Sequence, residues 1–355
     1  MSFKKIFKRG LALTLVMVLV LSVTACTGGP EDEGEAPVDE EEELVEESED
    51  IVVTDHLGRE VSFEEPAETI VSGYYISTSM MIALGLEDKV VGIEAKPERR
   101  PIYGMAAPEF MDLPNVGTMK DFDLEGTAAL DPDLVILSVR LQDSIESLEE
   151  LGINVLGVNP ESMEELEETL DMVGKATGTQ DRADELKYYY ASKMDEIEEI
   201  TEGEEEKRVY LGGNSDFLST ASSQMYQSTL IENAGGENVA ADIDDTYWAT
   251  ISYEQLIDYN PDVIIGAADA SYSVEDIMKD DKLESVKAVE NEEVYIMPSS
   301  IEFWDSPLPS GIVGTMWLTS VLHEEEYPFE EFKDETYDFY KEFYGVEIDK
   351  DELTK

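Results

Sequence analysis

The chain has 355 residues, about two domains' worth, and carries 83 acidic against 24 basic side chains, for a formal net charge of −59. So acidic a chain excludes a nucleic-acid partner and disfavours electrostatic adhesion to anionic lipid. A hydrophobic share of 42% predicts that most of the chain folds. With two His and one Cys, multi-ligand zinc sites and disulfide frameworks are excluded.

Residues 1–25 have the pattern of an export signal. Four basic residues within 4–9 precede an apolar run at 11–23, which is shorter than the ~20 residues that a permanent membrane-spanning helix needs. Small residues then lead to Cys26, the only cysteine, and this arrangement resembles the lipobox of bacterial lipoproteins. The resemblance implies that Cys26 carries acyl chains that anchor the mature protein outside the cell membrane.

Residues 26–50 form a predicted acidic tether, since 13 of residues 31–50 are acidic and none is basic. The tether does not account for the charge, because residues 51–355 still hold 70 acidic against 20 basic side chains. An acidic folded surface of this kind suits a salt-rich or alkaline habitat, where salt screens the repulsion between carboxylates. We therefore expect a halophilic protein.

Residues 51–160 alternate short β-rich runs with helical stretches, which predicts an α/β lobe with mainly parallel strands. In chain order the patterns predict a hairpin of 51–55 and 59–63, a strand at 69–72, a helix near 77–86, a strand at 89–93, a helix near 124–130, a strand at 133–137, a helix near 142–151 and a strand at 153–158.

Residues 161–204 are rich in helix formers and predict a helical connection with one long helix at about 181–201. Alternation resumes over 205–355, which predicts a second α/β lobe with closing helices. Its predicted strands are 208–212, 262–266 and 294–297, and its predicted helices are 225–234, 253–259, 309–322 and 329–343. The predicted fold is therefore two α/β lobes with mainly parallel sheets, joined by a single long helix, with a ligand cleft between the lobes.

Motif searches argue against an enzyme. The chain has neither GxGxxG nor GxxxxGK[ST], so neither a dinucleotide nor a nucleoside triphosphate has its usual phosphate cradle. The only histidine bases are His56, which is predicted to lie in a turn, and His323, which is predicted to lie at a helix end. We predict no catalytic residue, no metal site and no intrinsic cofactor. A surface hydrolase that uses two of the many carboxylates is the alternative from another class.

One unit occurs once in each lobe: a Glu, a short helix, Pro-Asp and a buried strand. It spans 124–136 in the first lobe, with Glu125 and Asp133, and 253–265 in the second, with Glu254 and Asp262. Pro-Asp often ends a helix before a strand, but the same spacing of eight residues in both lobes indicates two related lobes.

Together with these units, five further motifs resemble the substrate-binding lipoproteins of ABC importers for iron-siderophores, haem and cobalamin. They are DHLGREV at 55–61, EEPAETIV at 64–71, ALGLEDKVVGI at 83–93, NVG at 115–117 and LIENAGGENVA at 230–240. The resemblance covers about 51–345 and implies a permease dimer with its ATPase as partner. It also implies that Glu125 and Glu254 dock into arginine pockets of the two permease subunits.

The ligand is expected at the carboxyl ends of the strands, where aromatic and basic residues collect. The predicted ligand-binding residues are Tyr74, Tyr75, Arg99, Arg100, Tyr103, Arg140, Tyr226, Tyr247, Trp248 and Trp304. Arginines bind anionic groups, and aromatic rings supply flat apolar walls. An iron chelate such as ferric citrate or a carboxylate siderophore fits this mixture; cobalamin, haem and an oxyanion such as molybdate stay open.

Overall fold

The computed structural model describes residues 50–355. The predicted export signal, Cys26 and nearly all of the predicted tether lie outside the described residues. No helix within 50–355 combines the length and apolar character that crossing a bilayer requires.

The first lobe begins with a hairpin and continues as alternating strands and helices. Its elements are β1 (Ile51–Thr54), β2 (Glu60–Phe63), β3 (Ile70–Ser72), α1 (Tyr75–Ala83), β4 (Val90–Ile93), α2 (Pro101–Ala106), β5 (Gly117–Thr118), β6 (Asp121–Phe122), α3 (Leu124–Ala129), β7 (Leu134–Ser138), α4 (Gln142–Glu150) and β8 (Val155–Val158). Four strands form a wholly parallel sheet in the order β4-β3-β7-β8. All five residues of β7 are buried, as expected for a strand covered on both faces.

Two helices connect the lobes, α5 (Met163–Thr177) and α6 (Gln180–Thr201). With 22 residues, α6 is about 33 Å long. Its buried side chains include Leu186, Tyr190 and Ile197, and the Tyr190 hydroxyl donates a hydrogen bond to the Pro309 carbonyl oxygen at 2.5 Å. Tyr188 is 78% exposed, because it lies on the face of α6 opposite to Tyr190.

The second lobe repeats the architecture with antiparallel additions. Its elements are β9 (Lys207–Gly212), β10 (Ser219–Ala221), α7 (Tyr226–Asn233), β11 (Gly236–Asn238), β12 (Trp248–Thr250), α8 (Tyr253–Tyr259), β13 (Val263–Gly266), α9 (Val274–Met278), α10 (Lys287–Glu290), β14 (Val294–Ile296), α11 (Gly311–Leu322) and α12 (Phe329–Tyr344). The sheet order is β12-β10-β9-β13-β14, with β11 also paired to β9. Strands β9, β11, β13 and β14 are parallel to one another, while β10 is antiparallel to both of its neighbours, β9 and β12. The predicted fold class is confirmed.

The acidic surface leads to a prediction about salt. Residues 51–355 hold 70 carboxylates for 20 cations, so repulsion between carboxylates destabilises the folded protein at low ionic strength. We expect the melting temperature, measured by calorimetry at pH 7.5, to rise by at least ~3 °C between 0.1 and 1 M NaCl, a shift of about 1 kcal/mol. The increment should shrink at pH 4.5, where some carboxylates are protonated. A melting temperature that is constant or falls with added salt would contradict the halophilic expectation.

Candidate ligand-binding cleft

A cleft of about 740 Å³ lies between the lobes. On the first lobe, its walls come from residues directly after strands: Tyr74 and Tyr75 follow β3, Arg140 follows β7 and Glu161 follows β8. The second lobe contributes Met225, Tyr226, Gln227, Tyr247, Trp248, Ser306 and Pro307. The cleft therefore lies where the carboxyl ends of parallel strands place binding sites in α/β folds.

Aromatic side chains give the cleft its apolar surface. Tyr247 is 50% exposed and Trp248, at the start of the edge strand β12, is 39% exposed. A Cβ atom on Gly213 would lie 3.1 Å from the Trp248 ring, so the ring packs closely against this glycine. On the other wall, the rings of Tyr74 and Tyr75 meet edge to face at 5.2 Å. Large apolar rings left facing a cleft are suited to binding a flat or bulky ligand.

The charge in this part of the cleft is mixed. Arg140 Nη2 lies 2.9 Å from Glu161 Oε1, with the Arg140 side chain 63% exposed. Burial raises the pKa of Glu161, while the charge of Arg140 lowers it. The Glu161 amide in turn donates to Glu165 Oε2 at 2.9 Å. Arg140 is therefore partly neutralised before any ligand arrives.

His56 also lines the cleft, although the sequence indicated no role there. Its Nδ1 accepts a hydrogen bond from the Asn159 amide at 2.8 Å, and its Nε2 lies 3.3 Å from Glu168 Oε2. These partners place the proton on Nε2. Because Glu168 is 112 residues away in sequence, no local pattern could have indicated this contact.

Arg99 and Arg100 lie in an adjoining part of the interface between the lobes. They line a cavity of about 620 Å³ with residues of the second lobe that include Asn214 and Ser271. The Arg100 guanidinium carbon lies 4.0 Å from the Tyr75 ring centroid and 4.9 Å from that of Phe303. Arg100 thus links aromatic rings of both lobes through cation–π contacts.

Two of the ten predicted ligand residues lie inside the core. Tyr103 is 1% exposed, and its hydroxyl donates to Glu94 Oε1 at 2.8 Å. Trp304 is also 1% exposed, and its indole NH donates to the Tyr340 hydroxyl at 2.7 Å. The neighbouring Phe303 faces the interface instead. Direct contact of Tyr103 or Trp304 with a ligand was therefore a wrong prediction, because both rings are covered and their polar atoms are satisfied inside the protein.

Tyr226, the other predicted residue with little exposure, is 2% exposed but still borders the 740 Å³ cleft. It begins α7 and packs against Gly311, where an added Cβ would lie 2.2 Å from the Tyr226 hydroxyl oxygen. Tyr226 therefore forms part of the floor of the cleft rather than an open wall.

The two repeated units have the same geometry. The Asp133 amide donates to the Thr69 carbonyl at 2.9 Å, and Asp133 Oδ2 accepts from the Thr69 amide at 2.8 Å. In the second lobe, the Asp262 amide donates to the Arg208 carbonyl at 2.8 Å, and Asp262 Oδ2 accepts from the Arg208 amide at 2.8 Å. Each aspartate thus links the start of the strand that follows it, β7 or β13, to the start of the neighbouring parallel strand, β3 or β9.

The glutamates of these units occupy matching surface positions. Glu125 is the second residue of α3 and Glu254 the second residue of α8, and both are exposed. Side-chain caps begin both helices: Asp123 accepts from the Gly126 amide and Ser252 from the Gln255 amide. The two lobes therefore present one carboxylate each from the same place in the same unit.

This architecture and its inter-lobe cleft define a binding protein for a transported solute. A family model described as periplasmic binding protein matches residues 70–301, and the chain belongs to that family. Molybdate-binding protein MolA of Haemophilus influenzae is 22% identical over 86% of this chain and 94% of its own length. YvrC of Bacillus subtilis, described as an uncharacterized ABC transporter substrate-binding lipoprotein, is 26% identical over 81% of this chain and 90% of its own.

Solved structures show the same fold. A periplasmic solute binding protein from Veillonella parvula superposes with a TM-score of 0.74 at 24% identity, over 85% of this chain and 94% of its own. Molybdate-bound MolA gives 0.74 at 20% identity, over 84% of this chain and 99% of its own. The chain is thus a substrate-binding component of an ABC transporter, in the class that serves siderophores, haem and cobalamin, which confirms the resemblance seen in the sequence.

Proposed function

We propose that this protein captures an anionic iron chelate, of the ferric citrate or carboxylate siderophore type, and delivers it unchanged to a permease. The observation that carries the proposal is the pairing of exposed aromatic surface, on Tyr247 and Trp248, with the arginines Arg99 and Arg100 in one inter-lobe region. Aromatic rings pack against the organic body of a chelate, and guanidinium groups bind its carboxylates.

Relatives bind other solutes, since MolA is named for molybdate and a Yersinia pestis relative for vitamin B12. A bare tetrahedral oxyanion has no use for the aromatic rings and leaves most of a 740 Å³ cleft unfilled. Cobalamin would use the rings but give the unpaired arginines little to bind. Both features have a function when the ligand is an anionic chelate.

We further propose that acyl chains on Cys26 hold the protein at the outer face of the cell membrane, with residues 26–50 as a spacer. The export signal, the small residues before Cys26 and the description of the relative YvrC as a lipoprotein support this anchor. Lipid attachment would keep the binding protein close to its permease, which raises its effective concentration there.

Native mass spectrometry of the protein purified from its own source, combined with absorbance spectra, tests the ligand assignment. We expect one iron chelate per chain, with a charge-transfer band in the visible region. A corrinoid spectrum or a molybdenum adduct would refute the chelate and leave the transport role in place. Turnover of a substrate without retention of any ligand would contradict the binding-protein role itself.

A further inference from the structure

A third cavity, of about 380 Å³, is formed by residues 73–120 of the first lobe alone. Its charged lining consists of Lys96, Arg99, Arg100, Lys120 and a single acid, Glu94. We name the four cations and this cavity the basic compartment. Tyr74 and Tyr75 line both the basic compartment and the 740 Å³ cleft, so a ligand over these rings reaches both.

The cations of the basic compartment differ from most of the others in the protein. Of the 20 Lys and Arg side chains in residues 51–355, 13 form an ion pair within the described residues. Seven do not, and four of those seven are in the basic compartment. With 70 acids available to pair with them, the gathering of unpaired cations in one cavity calls for a binding role, because like charges that lie close together repel.

Glu94 does little to neutralise them. Its carboxylate accepts hydrogen bonds from Thr78 Oγ1 at 2.6 Å and from the Tyr103 hydroxyl at 2.8 Å, so its oxygens face the core. Burial raises the pKa of Glu94, and these hydrogen bonds and the charge of Arg100 only partly oppose that shift. The basic compartment therefore keeps a net positive charge.

The backbone around the basic compartment is fixed in place. The Ala95 amide donates to the Gly117 carbonyl at 2.7 Å, which joins the two loops that carry the cations. Lys96 has a left-handed φ of 68°, and the Arg99 amide donates to its carbonyl at 3.1 Å. A preformed site loses less entropy on binding.

We propose that the basic compartment binds the anionic groups of a ligand that carries at least two negative charges, a metal chelate with several carboxylates, while its remaining body lies over Tyr74 and Tyr75 in the cleft. This inference rests on the proposed function and adds Lys96 and Lys120 to the binding residues. Since residues 73–120 form the whole compartment, the first lobe alone makes these contacts, and the affinity depends on salt.

The test compares two double variants with equal changes in charge. Lys96→Gln/Lys120→Gln removes two exposed cations of the basic compartment, and Lys175→Gln/Lys282→Gln removes two exposed cations that also lack an ion pair but lie elsewhere. The probe is ferric citrate, titrated into the purified protein by calorimetry at 0.05 and 0.3 M NaCl. The compartment variant should raise Kd by about 100-fold, roughly tenfold per lost charge-assisted hydrogen bond, and weaken the salt dependence. The control should stay within about twofold of wild type.

Equal losses in both double variants would overturn the inference, because they would show an effect of net charge only. Molybdate and cyanocobalamin are titrated in parallel. The inference would also be overturned if either bound more tightly than ferric citrate and with the same affinity in wild type and in Lys96→Gln/Lys120→Gln. The transport role is tested separately. Cellular uptake of whichever probe binds is measured with Glu125 and Glu254 replaced. Melting curves of each variant confirm that these exposed substitutions leave the fold intact.

Discussion

Replacing Glu125 and Glu254 together with alanine is expected to reduce uptake of the bound solute to background in cells, while Kd in solution stays unchanged. Both carboxylates are exposed in the first turns of capped helices, and neither lines the 740 Å³ cleft. We propose that each carboxylate pairs with an arginine of the permease. A carboxylate that accepts a bidentate arginine fixes both orientation and affinity, so losing both pairs is expected to remove the protein's alignment on the permease.

Each single substitution should have a smaller effect than the double one, because one lobe keeps its contact. The matched control is Glu150→Ala/Glu284→Ala, which removes one exposed carboxylate from each lobe away from α3 and α8. Uptake of a radiolabelled solute and calorimetric affinity are measured on all variants. The docking role fails if the double variant loses solute affinity, or if the control reduces uptake as strongly.

Much of the fold could be predicted because its strands and long helices have a strong local pattern. The strand 134–138, apolar over its first four residues, is buried throughout, and the repeated units at 124–136 and 253–265 identified one strand in each lobe. The sequence pattern did not predict eight short elements, whose two to six residues are too few to show a period: α2, β5, β6, β10, β11, β12, α9 and α10. Tertiary contacts determine such elements, as in the pairing of β10 with β12.

The site could be predicted only as far as strand ends identify it. Tyr74, Arg140 and Arg100 follow strands, and each lines one of the cavities at the interface. Side chains in an irregular segment do not alternate in a regular way. The sequence therefore predicted Trp304 as a ligand residue, whereas it is Phe303 that faces the interface. Lys96 follows β4 as the two arginines do, and the same argument could have found it.

A buried carboxyl behind the cleft, that of Asp305, is expected to have a large effect on the stability of the protein. Asp305 is 6% exposed, and its Oδ2 accepts a hydrogen bond from the Ala268 amide at 2.9 Å, while its carbonyl accepts from Gln227 Nε2 at 2.8 Å. Burial raises the pKa of Asp305 to about 6, because the charged form is poorly solvated there. These contacts fix the segment that brings Phe303 and Ser306 to the interface.

Proton linkage determines whether this carboxyl makes the folded protein more or less stable as pH rises. The folded protein holds the proton of Asp305 more tightly than the unfolded chain does, so this group's contribution to stability is complete below about pH 4 and is lost as pH rises through about 6. Asp305→Asn keeps an oxygen acceptor for the Ala268 amide without an ionisable group. We expect the variant to be more stable than wild type by about 1–2 kcal/mol at pH 7.5. The raised pKa is worth about 3 kcal/mol at 1.36 kcal/mol per pKa unit, and burying the amide NH₂ costs about 1–2 kcal/mol of that.

Urea unfolding of both proteins between pH 4 and 8 measures this difference. The gain should shrink as pH falls and reverse towards pH 4, where wild-type Asp305 is also neutral and only the cost of the buried amide NH₂ remains. The matched control is Asp88→Asn, which removes one exposed negative charge and reports the general benefit of lowering the net charge. If Asp88→Asn gives the same gain, or if the gain of Asp305→Asn is independent of pH, the cause is overall repulsion. A gain specific to Asp305 would show that above pH 6 the folded protein tolerates a buried charge next to its binding cleft.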